Sequence, residues 1–211
     1  MTKKLAAILD RLNREYGTDF SPTLDYGKPY ELLIATMLSA QCTDERVNMV
    51  TKELFKKYPD VKSFADADLD ELMKDIFSTG FYRNKATNII ACAKMLLEKY
   101  DGEVPSDIDL LTALPGVGRK TANVVRGNVY NEPSIVVDTH VKRVSKLLGL
   151  TENDDPVKVE FDLMKVLPKE QWILFNIQAI AHGRKVCIAR RPKCAECVLR
   201  EVCKSAAEVK Q

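Results

Sequence analysis

No stretch of this sequence approaches the roughly 20 consecutive apolar residues that span a bilayer, and Met1-Thr2-Lys3-Lys4-Leu5 lacks the apolar run of a secretory signal. A cytoplasmic protein with no membrane partner is expected. Charge of one sign is equally scarce. Thirty-two Lys and Arg face 30 Asp and Glu, a net charge of +2, so any affinity for nucleic acid must come from local clusters of basic residues. Regular alternation of polar and apolar residues recurs nowhere, and no internal repeat is visible, which removes the sheet-based fold classes and leaves all-α. Histidine occurs twice, at His140 and His182, and two well separated helical histidines read as partners in local hydrogen bonds rather than as catalysts. What is abundant is apolar side chain. At 45% of 211 residues it suffices for one large or two small cores.

Helical periodicity and punctuation then divide the chain. Leu5, Ile8, Leu9 and Leu12 share one face of a helix over residues 3–16, closed by Gly17. Pro29 opens a second helix through Leu38 that is apolar nearly all round and so belongs in a core. Thr43 or Asp44 caps the next, which Pro59 stops; another starts near Asp66 or Asp68 and breaks at Ser78-Thr79-Gly80. Residues 85–99 form a long helix with Ile89, Ile90, Ala93, Leu96 and Leu97 inward. A short helix capped by Ser106 leads to residues 119–130. After Pro133, Ile135-Val136-Val137 reads as a buried extended link. Asp138 caps a helix ended by Gly149, Pro156 starts another, and residues 169–185 make the last long one. Linkers near Ser21-Pro22 and Asn131-Glu132-Pro133 leave a central helical unit, 22–132, and a second unit from 1–21 plus 133–211.

Two basic stretches contain no acid. Arg119, Lys120 and Arg126 lie between Asp109 and Glu132; Arg184, Lys185, Arg190, Arg191 and Lys193 lie between Glu170 and Glu196. The first includes Leu114-Pro115-Gly116-Val117-Gly118-Arg119-Lys120-Thr121-Ala122, in which a fixed φ and two glycines join the end of one helix to the start of the next. Such a turn presents backbone N–H groups with a favourable dipole, suited to a phosphate. On the glycines alone, an ordinary helix connection explains it equally well. Lys120 alone reads as a phosphate contact, and Asp138 alone as a helix cap.

Of six cysteines, Cys42 and Cys92 stand in apolar helical surroundings and read as core. The other four, Cys187, Cys194, Cys197 and Cys203, follow a C-x6-C-x2-C-x5-C spacing. Zinc ribbons present two close pairs and ferredoxin runs use shorter, more regular gaps, so the spacing favours four thiolates on an iron-sulfur cluster.

The motif from Leu114 to Ala122, Val137-Asp138-Thr139-His140, the terminal cysteines, Leu38-Ser39-Ala40-Gln41 with Thr43-Asp44, and Lys85-Ala86-Thr87-Asn88-Ile89-Ile90 together resemble the endonuclease III family of base-excision DNA glycosylases. The resemblance covers almost the whole chain. It implies a helix-hairpin-helix at about 106–127, a cleft between the two units bearing Lys120 and Asp138, and a [4Fe-4S] cluster on Cys187, Cys194, Cys197 and Cys203. It implies a monomeric enzyme that removes oxidised pyrimidines from double-stranded DNA and nicks the resulting abasic site. By resemblance Lys120 is the nucleophile that forms a Schiff base, with Arg119 and the helix end disfavouring its ammonium form, and Asp138 is the carboxylate that stabilises charge on the sugar. Gln41 fills the gap left by the flipped base, and Phe81 or its neighbour Tyr82 is the wedge, at a place where the family usually has leucine. Further DNA contacts fall on Gly116, Gly118, Arg119, Thr121, His140, Arg143, Arg190, Arg191 and Lys193, and a monovalent cation on the carbonyls of Thr112, Leu114 and Val117.

Two other readings share these features. A non-catalytic helix-hairpin-helix iron-sulfur protein would need the glycines and basic patches but no imine on Lys120. A monofunctional mismatch glycosylase of the same superfamily usually lacks lysine at position 120 and carries a further domain beyond the point where this chain ends, Gln211.

Overall fold

A computed structural model describes residues 1–19 and 22–207, and among them it contains helices and turns but no strand. No helix of the described residues is long and apolar enough to cross a membrane. The chain separates into two compact units, Pro22–Glu132 and Met1–Ser21 with Pro133–Gln211. Of the expected linker points, Ser21 lies outside the described residues.

The unit Pro22–Glu132 is built on α2 (Pro29–Leu38), eight of whose ten residues are buried. Its start follows from local chemistry. Pro29 needs no N–H partner in the first turn, and Glu31 Oε2 accepts from the N–H groups of Gly27 (2.6 Å) and Lys28 (3.0 Å). Around it pack α3 (Asp44–Lys57), α6 (Tyr82–Tyr100) and α8 (Arg119–Val129). Between α3 and α6 run α4 (Val61–Ala65) and α5 (Leu69–Asp75), then a 3-10 turn, Phe77–Thr79; α7 (Ile108–Thr112) precedes α8. Leu33, Leu38, Phe64, Leu72, Ile76, Ile89 and Leu111 are wholly enclosed. Tyr30, Phe55, Tyr58 and Phe64 meet ring to ring, at centroid distances of 4.9–6.4 Å.

Several local expectations need correction. α7 is capped by Asp107, whose carboxylate accepts from Asp109 N and Leu110 N, and not by Ser106. The long helix starts at Tyr82, three residues earlier than its apolar pattern indicates, and Leu97 is 37% exposed rather than inward. Cys42 lies in the turn after α2, half-buried, whereas Cys92 on α6 is buried. α4 has no signature in the sequence, because five residues are too few to show a period.

In the other unit, α1 (Lys3–Tyr16) buries Leu5, Ile8, Leu9 and Leu12. Thr2 caps it, and Gly17 ends it at φ 75°. α1 and α9 (Thr139–Leu148) pack against α11 (Trp172–Lys185), and α10 (Pro156–Val166) adds Val159 and Leu163 to the same core. The last helix begins at Trp172, because Lys169–Gln171 is a 3-10 turn. Ile135-Val136-Val137 is irregular backbone, but only Ile135 is buried, Val136 and Val137 being half-buried.

Candidate functional site

In the unit Pro22–Glu132, the turn between α7 and α8 is held from beneath by Leu114 and Val117, both buried, with Val117 N–H donating to the Leu114 carbonyl at 3.1 Å. The two glycines of the turn serve different ends. Gly116 has φ +74°, and a Cβ on it would stand 2.7 Å from Asn88 Cβ and 2.8 Å from Met37 Cε, so no other residue fits without displacement. Gly118 is extended backbone with nothing within 4 Å of a would-be Cβ. Its missing side chain therefore leaves space outside the protein rather than inside. Gly118 is also the N-cap of α8 and provides no side-chain cap for the first N–H groups of that helix. Exposed Lys120 and half-buried Arg119 and Thr121 occupy this first turn.

The same unit holds Gln41 and Phe81, each exposed and each in left-handed backbone, at φ 55° and 49°. Non-glycine residues adopt that region at a cost and chiefly where their surroundings enforce it. Phe81 stands before α6 with 62% of its surface exposed. Tyr82, by contrast, is half-buried, its ring 4.8 Å from that of Phe77 and 5.7 Å from the Arg83 guanidinium carbon. Of the two aromatic residues, Phe81 is the more exposed.

In the other unit, half-buried Asp138 caps α9. Its Oδ1 accepts from His140 N–H at 2.8 Å and Val141 N–H at 2.7 Å. Both cap bonds fall on one oxygen, which leaves Oδ2 outside the cap. His140 and Arg143 follow on α9, and Arg143 is engaged internally: its guanidinium donates to the carbonyls of Gly183 (2.9 Å) and Cys187 (2.8 Å) and lies 3.2 Å from His140 Nδ1. These bonds tie α9 to the end of α11 and to the first cysteine of the terminal loop. In that loop Arg190, Arg191 and Lys193 are exposed, and Lys193 N–H closes the turn on the Val186 carbonyl at 2.9 Å.

Cys187, Cys194, Cys197 and Cys203 are half-buried and line one cavity, walled by Val144, Leu147, Leu148 and Leu199. Among the described residues no three His, Cys, Asp or Glu groups converge to hold a single metal ion. An apolar cavity lined by four thiols, with no other ligand type needed, suits a cluster held by four thiolates. Burial pushes the Cys187 and Cys197 thiols up, while the backbone N–H groups of Leu199 and Arg200 directed at Cys197 favour its thiolate. Behind Cys197, His182 Nε2 lies 3.5 Å from Sγ and its Nδ1 2.8 Å from the Tyr16 hydroxyl. Buried His182 is thus a supporting residue of the loop, a role that sequence spacing does not indicate.

The family model described as HhH-GPD superfamily base excision DNA repair protein matches residues 34–169, and that of the iron-sulfur binding domain of endonuclease III matches residues 187–203. Endonuclease III of Synechocystis is 52% identical over 185 residues, 87% of this chain and 84% of that protein. The Bacillus subtilis enzyme of the same name is 50% identical over 182 residues, 86% and 83% of the two chains. The solved structure of a trapped covalent endonuclease III–DNA intermediate, an estranged-adenine complex, superimposes with a TM-score of 0.90 at 46% identity, covering 99% of each chain.

Proposed function

The chain belongs to the endonuclease III family, and from that premise we propose that it is a bifunctional DNA glycosylase and abasic-site lyase acting on oxidised pyrimidines in duplex DNA. The observation that carries the reading is the exposed Lys120 in the first turn of α8, beside the open backbone of Gly118. A nucleophile next to a phosphate-binding turn is held where deoxyribose carbons lie.

The neutral Lys120 amine donates its electron pair to the sugar C1′, and the bond to the base breaks with its pair leaving on the base, which takes up a proton. Loss of a proton from nitrogen and opening of the ring give an imine. Abstraction of a C2′ proton then expels the 3′ phosphate by β-elimination, and water hydrolyses the imine to free Lys120. Asp138 stabilises positive charge developing on the sugar and assists removal of the lysine proton, with Oδ2 as the oxygen for that work. Gln41 and Phe81 occupy the space left in the duplex by the flipped nucleotide. Gly116, Gly118, Arg119, Thr121, His140, Arg190, Arg191 and Lys193 are read as contacts to the DNA backbone, with Arg143 supporting them through Gly183 and Cys187. A [4Fe-4S] cluster on Cys187, Cys194, Cys197 and Cys203 supplies a cross-link that fixes the basic loop, not electrons for base removal. We place the enzyme in the cytoplasm, associated with the nucleoid if the cell is prokaryotic, because its substrate is there.

Borohydride reduction in the presence of abasic duplex tests the reading. The wild-type protein is expected to form a covalent adduct and Lys120→Gln none. No adduct in the wild type, or undiminished trapping and nicking in the variant, would leave a DNA-binding module without lyase chemistry.

A further inference from the structure

The turns that carry Gln41 and Phe81 are far apart in sequence, yet both are fastened to one ammonium group. Lys85, in the first turn of α6, is only 7% exposed. Its Nζ donates to the Leu38 carbonyl at 2.7 Å and to the Thr79 carbonyl at 2.8 Å. Leu38 is the last residue of α2, so its carbonyl is one that the helix itself leaves without a partner. Gln41 follows three residues later. Thr79, itself buried, closes the 3-10 turn, and Phe81 follows two residues later, after Gly80 at φ 70°. One cation therefore lies at the root of both left-handed turns.

An apolar residue at this depth would avoid the desolvation that lowers the Lys85 pKa. Replacing a buried charge by an apolar residue of similar volume is often neutral or stabilising, so net stability does not explain a lysine here. We propose that Lys85 is a positioning residue for base extrusion: by bridging the Leu38 and Thr79 carbonyls it holds the Gln41 and Phe81 turns in fixed register, so that both side chains enter the duplex together. The proposal rests on the reading of Gln41 and Phe81 as the residues that enter DNA. Lys85 touches no substrate and acts through the two turns.

The test compares Lys85→Met, the double variant Gln41→Ala with Phe81→Ala, and the triple variant. Each is assayed for single-turnover base release from a duplex containing thymine glycol and for borohydride trapping on a single-stranded abasic oligonucleotide, which needs no base extruded. Lys85→Met is expected to slow the duplex reaction roughly 10- to 100-fold and to leave single-strand trapping unchanged, and the double variant to slow the duplex reaction by at least as much. The triple variant is expected to be no slower than the double, since both act through the same turns. Equal losses on both substrates, or losses that multiply in the triple variant, would overturn the proposal. Slow double-variant turnover beside wild-type rates for Lys85→Met would sink the proposal alone. A double variant at wild-type rate would sink the reading of Gln41 and Phe81, and the proposal with it. If Lys85→Met does not fold, Lys85→Gln, which removes the charge and shortens the side chain by one atom, is judged by the same outcomes.

Discussion

Asp138 holds the Val141 N–H at 2.7 Å through the same oxygen, Oδ1, that accepts from His140. Cap and charge are therefore separable by mutation. Asp138→Asn keeps an oxygen for the cap but no negative charge. Base release should fall about 10²- to 10³-fold, while resistance to urea stays near that of the wild type. Asp138→Ala should lose the activity and, in addition, about 1 kcal/mol of stability. Normal turnover in the asparagine variant would reduce Asp138 to a cap.

The two hairpin glycines should respond oppositely to alanine. Gly116→Ala forces a left-handed alanine against Asn88 and Met37, at a cost of roughly 2–4 kcal/mol, visible as a lowered melting temperature. Gly118→Ala meets no atom of the protein. It should melt like the wild type and bind abasic duplex more weakly, in a fluorescence-anisotropy titration. Unchanged affinity would show that the open face of Gly118 is not where DNA approaches.

Phe81 and Tyr82 can be told apart by stability as well as rate. Phe81→Ala removes a side chain that is 62% exposed and so should change stability little, while slowing base release from duplex. Phe81→Leu should retain most of the rate. Tyr82→Ala strips the partner of Phe77 and Arg83 and should destabilise by about 1 kcal/mol or more. A Tyr82→Ala protein that is stable but inactive, beside an active Phe81→Ala, would reverse the assignment.

Arg190, Arg191 and Lys193 are exposed on the cysteine loop. For each phosphate that alanine substitution deprives of its cation, the slope of log affinity against log salt should become shallower by about 0.9. The weakening should be equal for damaged and undamaged duplex, because phosphate contacts carry no base information. A slope unaltered in the triple alanine variant would remove this loop from the interface.

Cys92 gives a pH-dependent signature. Burial pushes its pKa up from 9.0 to about 12, so the folded protein favours the thiol while the unfolded chain releases the proton earlier. A raised folded pKa means that this contribution is complete below 9.0 and is lost as pH climbs towards 12. Denaturation between these limits should show stability falling with pH, with a shallower fall in Cys92→Ala. Near neutral pH, half-buried Cys42 should alkylate in the native state and Cys92 only on unfolding.

Much of this molecule is legible in its sequence because the signals are local. Thr43, Asp138, Pro29 and Pro156 mark helix starts by chemistry confined to one turn, and Gly17 and Gly149 mark ends in the same way. Adjacent caps are harder: Ser106 and Asp107 are equally capable, and only the bonds to Asp109 and Leu110 separate them. What stays hidden is long-range. Lys85 sits in a motif that looks like an exposed helix start, and its burial depends on Leu38, far back in the chain. Nothing in the sequence shows that the Arg143 guanidinium meets the Gly183 and Cys187 carbonyls. His182 gives no sign in the sequence of its place behind Cys197.

α9 starts at the capping carboxylate of Asp138, and its far end, Val144, Leu147 and Leu148, forms a wall of the cysteine cavity, where Cys203 Sγ lies 3.4 Å from the Leu147 carbonyl. Its middle is pinned by Arg143 to Cys187. A rod of ten residues, roughly 15 Å long, thus joins the four-cysteine cavity to the carboxylate. If the four cysteines hold the cluster and Asp138 serves the chemistry, as proposed, loss of the cluster would loosen that rod at its far end and disturb Asp138 without reaching it.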